Sequence, residues 1–217
     1  MAQPFLTDAA KQALTDAVRD VESRCSAELV VAVRDRSGSF LHADLLAGLA
    51  VAVAVLLGLL FSPWPFDLVW FAIDPLLAGA LGAFAASRLP SVRRALTFWR
   101  VRRRQVETAA RATFLEKGVH RTTGRTGILV YISLLEHEAA VIPDFGIETL
   151  ATTEGWRLLV EEIEEAVRRG EDGAIIAALL RELGDLLAPT LVRSAEDVDE
   201  LSNEVNEVDE VDEVDER

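Results

Sequence analysis

The sequence predicts an α/β protein. It is a small layered α/β domain, ordered helix-strand-[transmembrane hairpin]-helix-strand-strand-helix-helix, with an inserted transmembrane helical hairpin. Three observations carry this reading. Residues 45–61 read LLAGLAVAVAVLLGLLF without a single charge, and a second apolar run follows almost at once. Outside these runs, short Val- and Ile-rich segments alternate with stretches whose apolar residues recur at helical spacing. Half of the 217 residues are hydrophobic although 27% are charged, so apolar and polar residues are segregated along the chain.

The first part of the domain spans residues 8–36. Thr7 is placed to cap a helix running to about Arg24, with Ala10, Ala13, Leu14, Ala17, Val18 and Val21 on one face. Ala27–Val33 (AELVVAV) reads as a short apolar strand.

The hairpin comes next, as residues 41–62 and 67–87. About twenty residues at 1.5 Å rise each match a hydrocarbon core of about 30 Å. Ser62-Pro63-Trp64-Pro65-Phe66-Asp67 joins the two helices; its prolines end helices, and its tryptophan suits the headgroup layer. A core helix of a soluble protein keeps a polar stripe, and residues 45–61 have none. The second run holds one charge, Asp74, followed by Pro75. An intramembrane carboxylate is a functional candidate for a small transport or channel subunit. Asp74 also fits as the cap of a half-helix restarting at Pro75.

The second part of the domain covers residues 98–190. A basic helix starts near Phe98 with a stripe of Val106, Ala109, Ala110, Thr113 and Phe114, and ends at Gly118. Gly127–Ser133 and Ala139–Ile142 read as strands joined in a hairpin through Leu135-Glu136-His137-Glu138. Thr153 caps a helix with Trp156, Leu159, Val160, Ile163 and Val167 on one face, broken by Gly170. A last helix, about 172–188, presents Ile175, Ala178, Leu179, Leu183 and Leu186 and stops at Pro189.

Charge is unevenly spread. Residues 195–217 hold twelve Asp or Glu against one Arg, which is −11 of the net −14; the rest of the chain carries −3. This tail repeats Val-Asp-Glu at a period of three, fits neither helix nor strand, and is read as disordered. A nearly balanced folded part gives no sign of a nucleic-acid partner. Arg88, Arg93, Arg94, Arg100, Arg102, Arg103 and Arg104 flank the second hydrophobic helix, Arg34 and Arg36 precede the first, and the connecting loop has neither Lys nor Arg. The positive-inside rule therefore puts both termini and the α/β domain in the cytoplasm of a multi-pass inner-membrane protein. The same arginines suit anionic headgroups of the lipid bilayer. The single cysteine, Cys25, allows no intramolecular disulfide, and no cleaved signal peptide is read at the N-terminus.

Three segments resemble the TPM domain family. Val21–Val31 is similar to its helix, polar turn and strand. Ala109–Gly127, with Phe114, Gly118, Thr122, Arg125, Thr126 and Gly127, resembles its helix-loop-strand. Val141-Ile142-Pro143-Asp144-Phe145-Gly146-Ile147 resembles its strand end. A bacterial subgroup is similar even in carrying two membrane helices at this place. The resemblance implies a functionally mixed family, with accessory factors of membrane complexes alongside divalent-metal binders and phosphatases.

The residues themselves show no G-x-S-x-G, P-loop or G-x-G-x-x-G, and His42, His120 and His137 lie far apart. No catalytic residue is assigned. Asp144 is the candidate metal ligand, for Ca²⁺ or Mg²⁺ with Glu148 and nearby carbonyls; the alternative is an Asp that shapes the turn before Gly146. The loop Arg121–Arg125 is read as a solvated loop or a phosphate cradle. The expectation is a membrane-anchored TPM-like module, non-enzymatic, that serves another membrane protein or complex. A divalent-metal-dependent phosphatase is the alternative.

Overall fold

The structure, a computed structural model, describes residues 7–193, Leu201 and Asn206–Val208. The chain divides into two compact units, Met1–Ser37 with Arg103–Arg217, and Gly38–Arg102.

The first unit is an α/β domain. Helix α1 (Asp8–Arg24) starts where the Thr7 hydroxyl accepts the Ala10 N–H at 3.2 Å. Strand β1 (Glu28–Arg34) follows. Helix α5 (Trp99–Glu116), whose first four residues belong to the second unit, leads through Gly118, at φ 68°, into β2 (Gly127–Ser133) and β3 (Glu138–Pro143). Helix α7 (Glu154–Arg169) is capped by Thr153, whose hydroxyl accepts from Trp156 N at 3.3 Å, and ends on left-handed Gly170. Helix α8 (Gly173–Leu187) begins at the Asp172 cap. β1 and β2 pair in parallel from Glu28↔Gly127 to Arg34↔Ser133, and β2 and β3 pair antiparallel.

Alternation along the strands sorts the sheet into two faces. Leu29, Val31, Val33, Ile128, Val130 and Ile132 pack with α1, α7 and α8 in the larger core. Val30, Ala32, Leu129 and Tyr131 pack with Val106 and Ala110 of α5 in the smaller one. The result is a three-layer α/β/α arrangement. Burial of Val106, Ala110 and Thr113 follows the stripe expected for α5.

Several sequence expectations are corrected. The buried face of α8 is Ile176, Ala177, Leu179, Leu180, Leu183 and Leu187, while Ile175 is 44% exposed. The run Gly173–Leu180 is apolar all round, so its own pattern selects no face. Contact with α1 selects it, where Gly173 meets Ala10 and Gly184 meets Val21 too closely for a Cβ. Short helix α6 (Glu148–Ala151) was not anticipated. Of the tail read as disordered, the described Asn206–Val208 form β4, parallel to β1, giving a sheet ordered β3-β2-β1-β4. Pairing to a sheet edge satisfies backbone groups without requiring an apolar periodicity, which is why composition missed it. The remainder of the tail lies outside the described residues.

The second unit is a helical hairpin. α2 (Leu41–Leu60) and α3 (Leu68–Ser87) are long and apolar enough to cross a membrane. They pack through small residues. A Cβ on Gly48 would lie 2.6 Å from the Gly79 carbonyl oxygen, and one on Gly82 would meet Val51 at 2.8 Å, so glycine lets the backbones approach. α3 runs unbroken through Pro75, and Asp74 caps no restarted half-helix; a proline forfeits one hydrogen bond, which the bonds on either side tolerate. Helix α4 (Pro90–Leu96), absent from the sequence reading, follows with Pro90 at its first position.

Candidate functional site

At the C-terminal ends of the parallel pair β1 and β2 the fold gathers a buried polar network that sequence spacing did not reveal. Tyr131, Ser133 and Glu136 are fully buried and Ser37 is half-buried. Ser37 N donates to Glu136 Oε1 at 2.9 Å, and Ser133 Oγ donates to Glu136 Oε2 at 2.6 Å. Ser37 Oγ donates to Ser133 Oγ at 2.7 Å and lies 2.8 Å from the Tyr131 hydroxyl. Each hydroxyl has one proton. The Ser37 proton is used on Ser133, so Tyr131 donates to Ser37, and the donors run Tyr131, Ser37, Ser133 to the Glu136 carboxylate. Burial pushes the Tyr131 phenol above its ordinary pKa, which keeps its proton in place. The backbone adds Leu134 N to Arg34 O at 2.9 Å and Leu135 N to Asp35 O at 2.8 Å. These bonds fix the end of β1, from Arg34 to Ser37, against the β2–β3 turn.

Asp144 sits elsewhere, at the end of β3. Its Oδ1 accepts the Phe145 N–H at 2.8 Å, and its Oδ2 lies 3.0 Å from Arg125 Nε. The Oδ2 contact lacks hydrogen-bond geometry and is an electrostatic one. Gly146 N donates to Arg125 O at 2.8 Å, and a Cβ there would lie 2.5 Å from Gly124 O. Asp144 thus latches its turn to the 124–125 loop. The residues around it do not fit a divalent cation. A guanidinium already faces the carboxylate, Glu148 is exposed, and among the described residues no group of three or more His, Cys, Asp or Glu is placed to hold a metal. The Arg121–Arg125 loop is likewise committed to the fold. Thr122 Oγ1 accepts from Thr126 N at 3.1 Å and Thr126 Oγ1 donates to Ser26 O at 2.8 Å.

The arginines flanking the hairpin divide into paired and unpaired. Arg93 makes a two-point contact to Asp44, Nε–Oδ1 at 2.9 Å and the terminal nitrogen–Oδ2 at 2.7 Å; this bond raises the Arg93 pKa. Thr97 Oγ1 meets His42 Nε2 at 3.2 Å beside it. Together they fold α4 back on the start of α2. Asp44, a buried carboxylate in the first turn of α2, was overlooked in the sequence; its signal was a charge at the edge of an apolar run, matched by an arginine just past the second one. Asp44→Ala should strand Arg93 without a partner and cost about 2 kcal/mol, read as earlier thermal unfolding and faster tryptic cleavage after Arg93 or Arg94 in micelles. Arg103 belongs to the α/β unit, where Glu107 at 3.1 Å and Glu164 at 3.7 Å face it and raise its pKa. Asp74, expected as an intramembrane polar group, is partly buried on α3.

Glu164 on α7 is mostly buried, near Glu138 and Glu107 as well as Arg103 and Arg168. Burial is the main cause that lifts its pKa above the ordinary 4.5, against the pull of both arginines. The folded state therefore binds this proton more tightly than the unfolded chain. The stability it confers is complete below the ordinary value and is lost as pH rises through the elevated one. Glu164→Gln should remove that loss: the melting temperature of the variant should gain on the parent as pH climbs above about 4.5, measured in micelles across mildly acidic buffers.

No family model matches the chain, and no curated protein matches it. Among solved structures it is similar to the NMR structure of BA42 protein from the psychrophilic bacterium Bizionia argentinensis. That similarity has a TM-score of 0.58 at 17% identity and covers 94% of this chain and 96% of the other. At this identity the likeness shows the fold alone, and it agrees with a small mixed α/β architecture.

Proposed function

We propose that this chain is a membrane-anchored α/β module, TPM-like in sequence, that serves a membrane complex by binding a protein partner. One observation carries the anchoring. The apolar spans of α2 and α3 are only 17% and 6% buried within the protein. A core helix would be mostly covered. Leu45, Leu49, Leu57, Leu60, Leu76, Leu77, Leu81 and Phe84 all stand open, each leaving up to about 1.5–3 kcal/mol of burial unrealised in water. Lipid supplies that cover. The hairpin crosses the inner membrane as two passes, its loop outside and the α/β domain in the cytoplasm, in keeping with the arginine distribution.

The binding role is supported by what the domain's polar groups do. The Ser37–Glu136 network is closed on itself, and Asp144 is held by Arg125. The fold spends these groups on its own rigidity, as a scaffold does. The test is the size of the full chain's complex, extracted from its native membrane in mild detergent. A species well above one chain plus its micelle, which breaks up when the α/β domain is deleted, is expected. A lone chain that hydrolyses a phosphomonoester when Mg²⁺ or Ca²⁺ is added would overturn the reading in favour of a phosphatase.

A further inference from the structure

From Ala78 through Val106 the chain contains no Asp or Glu, yet it carries seven arginines. The structure neutralises two of them: Arg93 through Asp44, and Arg103 through Glu107 and Glu164. Arg88, Arg94 and Arg100 have no carboxylate partner among the described residues, although Arg24, Arg125, Arg157, Arg168 and Arg169 all have one. These three are set among side chains that water does not favour. Phe98 is 81% exposed and Trp99 54% exposed, and Leu89 is exposed as well. The segment lies where α3 ends and α4 returns to the first turn of α2 through Arg93. Charge without counter-charge, interleaved with open aromatic and aliphatic groups at one end of an apolar hairpin, is complementary to one surface: the anionic headgroup layer.

We infer that Arg88, Arg94 and Arg100, with Leu89, Phe98 and Trp99, form a binding site for anionic phospholipid headgroups. The inference rests on the anchoring proposed above and deepens it by naming the lipid. Its geometry suits phosphate. The Arg88 guanidinium lies 4.9 Å from the Phe84 ring centre, and that of Arg100 lies 5.5 Å from the Trp99 ring centre. A guanidinium over a ring face is steadied by the ring and keeps N–H donors for bidentate contact with phosphate oxygens. Leu89, Phe98 and Trp99 enter the boundary between headgroup and acyl chain, a placement that their exposure in water otherwise leaves without reason. Asp44 keeps Arg93 out of this contact and uses it to aim α4.

The test uses the full chain in micelles with equal amounts of phosphatidylglycerol and phosphatidylcholine, and reads retained lipid by native mass spectrometry. The parent and an Arg111→Gln control should hold phosphatidylglycerol in preference by roughly tenfold. The R88Q/R94Q/R100Q variant should hold the two lipids about equally. Equal retention by the parent overturns the site, and so does a triple variant that keeps the preference. A preparation that instead carries RNA, released by nuclease and lost in the triple variant, overturns it in favour of a nucleic-acid surface. Alkaline carbonate extraction of the same membranes separates the two readings. A chain that washes off removes the anchor and the site together, whereas a chain that stays but shows no lipid preference removes the site alone.

Discussion

Gly127→Ala is expected to lower the melting temperature of the α/β domain by roughly 6–12 °C. Gly127 opens β2 and pairs with Glu28 at the start of β1. A Cβ at this position would lie 2.2 Å from the Val119 carbonyl oxygen and 2.7 Å from its Cγ1. The first atom is backbone, fixed within the turn Val119–Arg121, and Val119 is itself fully buried in the smaller core. Nothing flexible is available to give way. Overpacking of this kind costs about 3 kcal/mol at the upper end of its usual range, a large part of the 5–15 kcal/mol that holds a domain of this size. Thermal unfolding of the full chain in micelles measures it. Gly155→Ala is the comparison, because its nearest neighbour is the flexible tip of Leu186 at 3.2 Å. That variant should stay within about 1 kcal/mol of the parent.

Glu136→Ala is expected to be at least comparably damaging, because it removes a buried acceptor. Its carboxylate accepts from Ser37 N and Ser133 Oγ inside a site that water does not reach. Alanine leaves an amide and a hydroxyl without an acceptor, at about 1–3 kcal/mol each, and takes the end point from the chain of donors that starts at Tyr131. Glu136→Gln should cost far less, about 1 kcal/mol. Its oxygen still receives the Ser37 amide, its NH₂ donates to Ser133 Oγ, and the serine protons turn round to suit. The separation between the two variants, read as melting temperatures, is the signature of a network that positions chain. If the glutamine variant fell as far as the alanine one, the negative charge itself would be what matters.

What could be read in advance followed from local physics. Thr7 and Thr153 accept helix N–H groups, Gly118 and Gly170 take up left-handed backbone, and the Val- and Ile-rich runs form β1 and β2. Each of those signals is spelled within a few residues. The buried face of α8 was not legible in its first half, because the run Gly173–Leu180 is apolar on all sides and takes its orientation from its neighbour, here α1. The candidate site was invisible for a related reason. Ser37 and Glu136 are 99 positions apart, brought together only when β1 and β2 align in parallel across the inserted hairpin. Asp44 and Arg93, 49 positions apart, meet only when α4 folds back. Asp144 was legible as a residue that shapes its turn, and its partner Arg125, at φ 53°, was the part that sequence spacing did not supply.

The proposed passage of α2 and α3 through a bilayer, with their loop on the far side, can be tested directly by thiol labelling. Cys25 is buried, so in a Cys25→Ala background Ser62→Cys and Ser91→Cys each provide one accessible thiol, in the loop and just after α3 respectively. A membrane-impermeant maleimide applied to intact cells should label the Ser62→Cys chain and spare the Ser91→Cys chain until the membrane is opened. Labelling of neither chain before lysis, or of Ser91→Cys alone, would contradict the proposed topology.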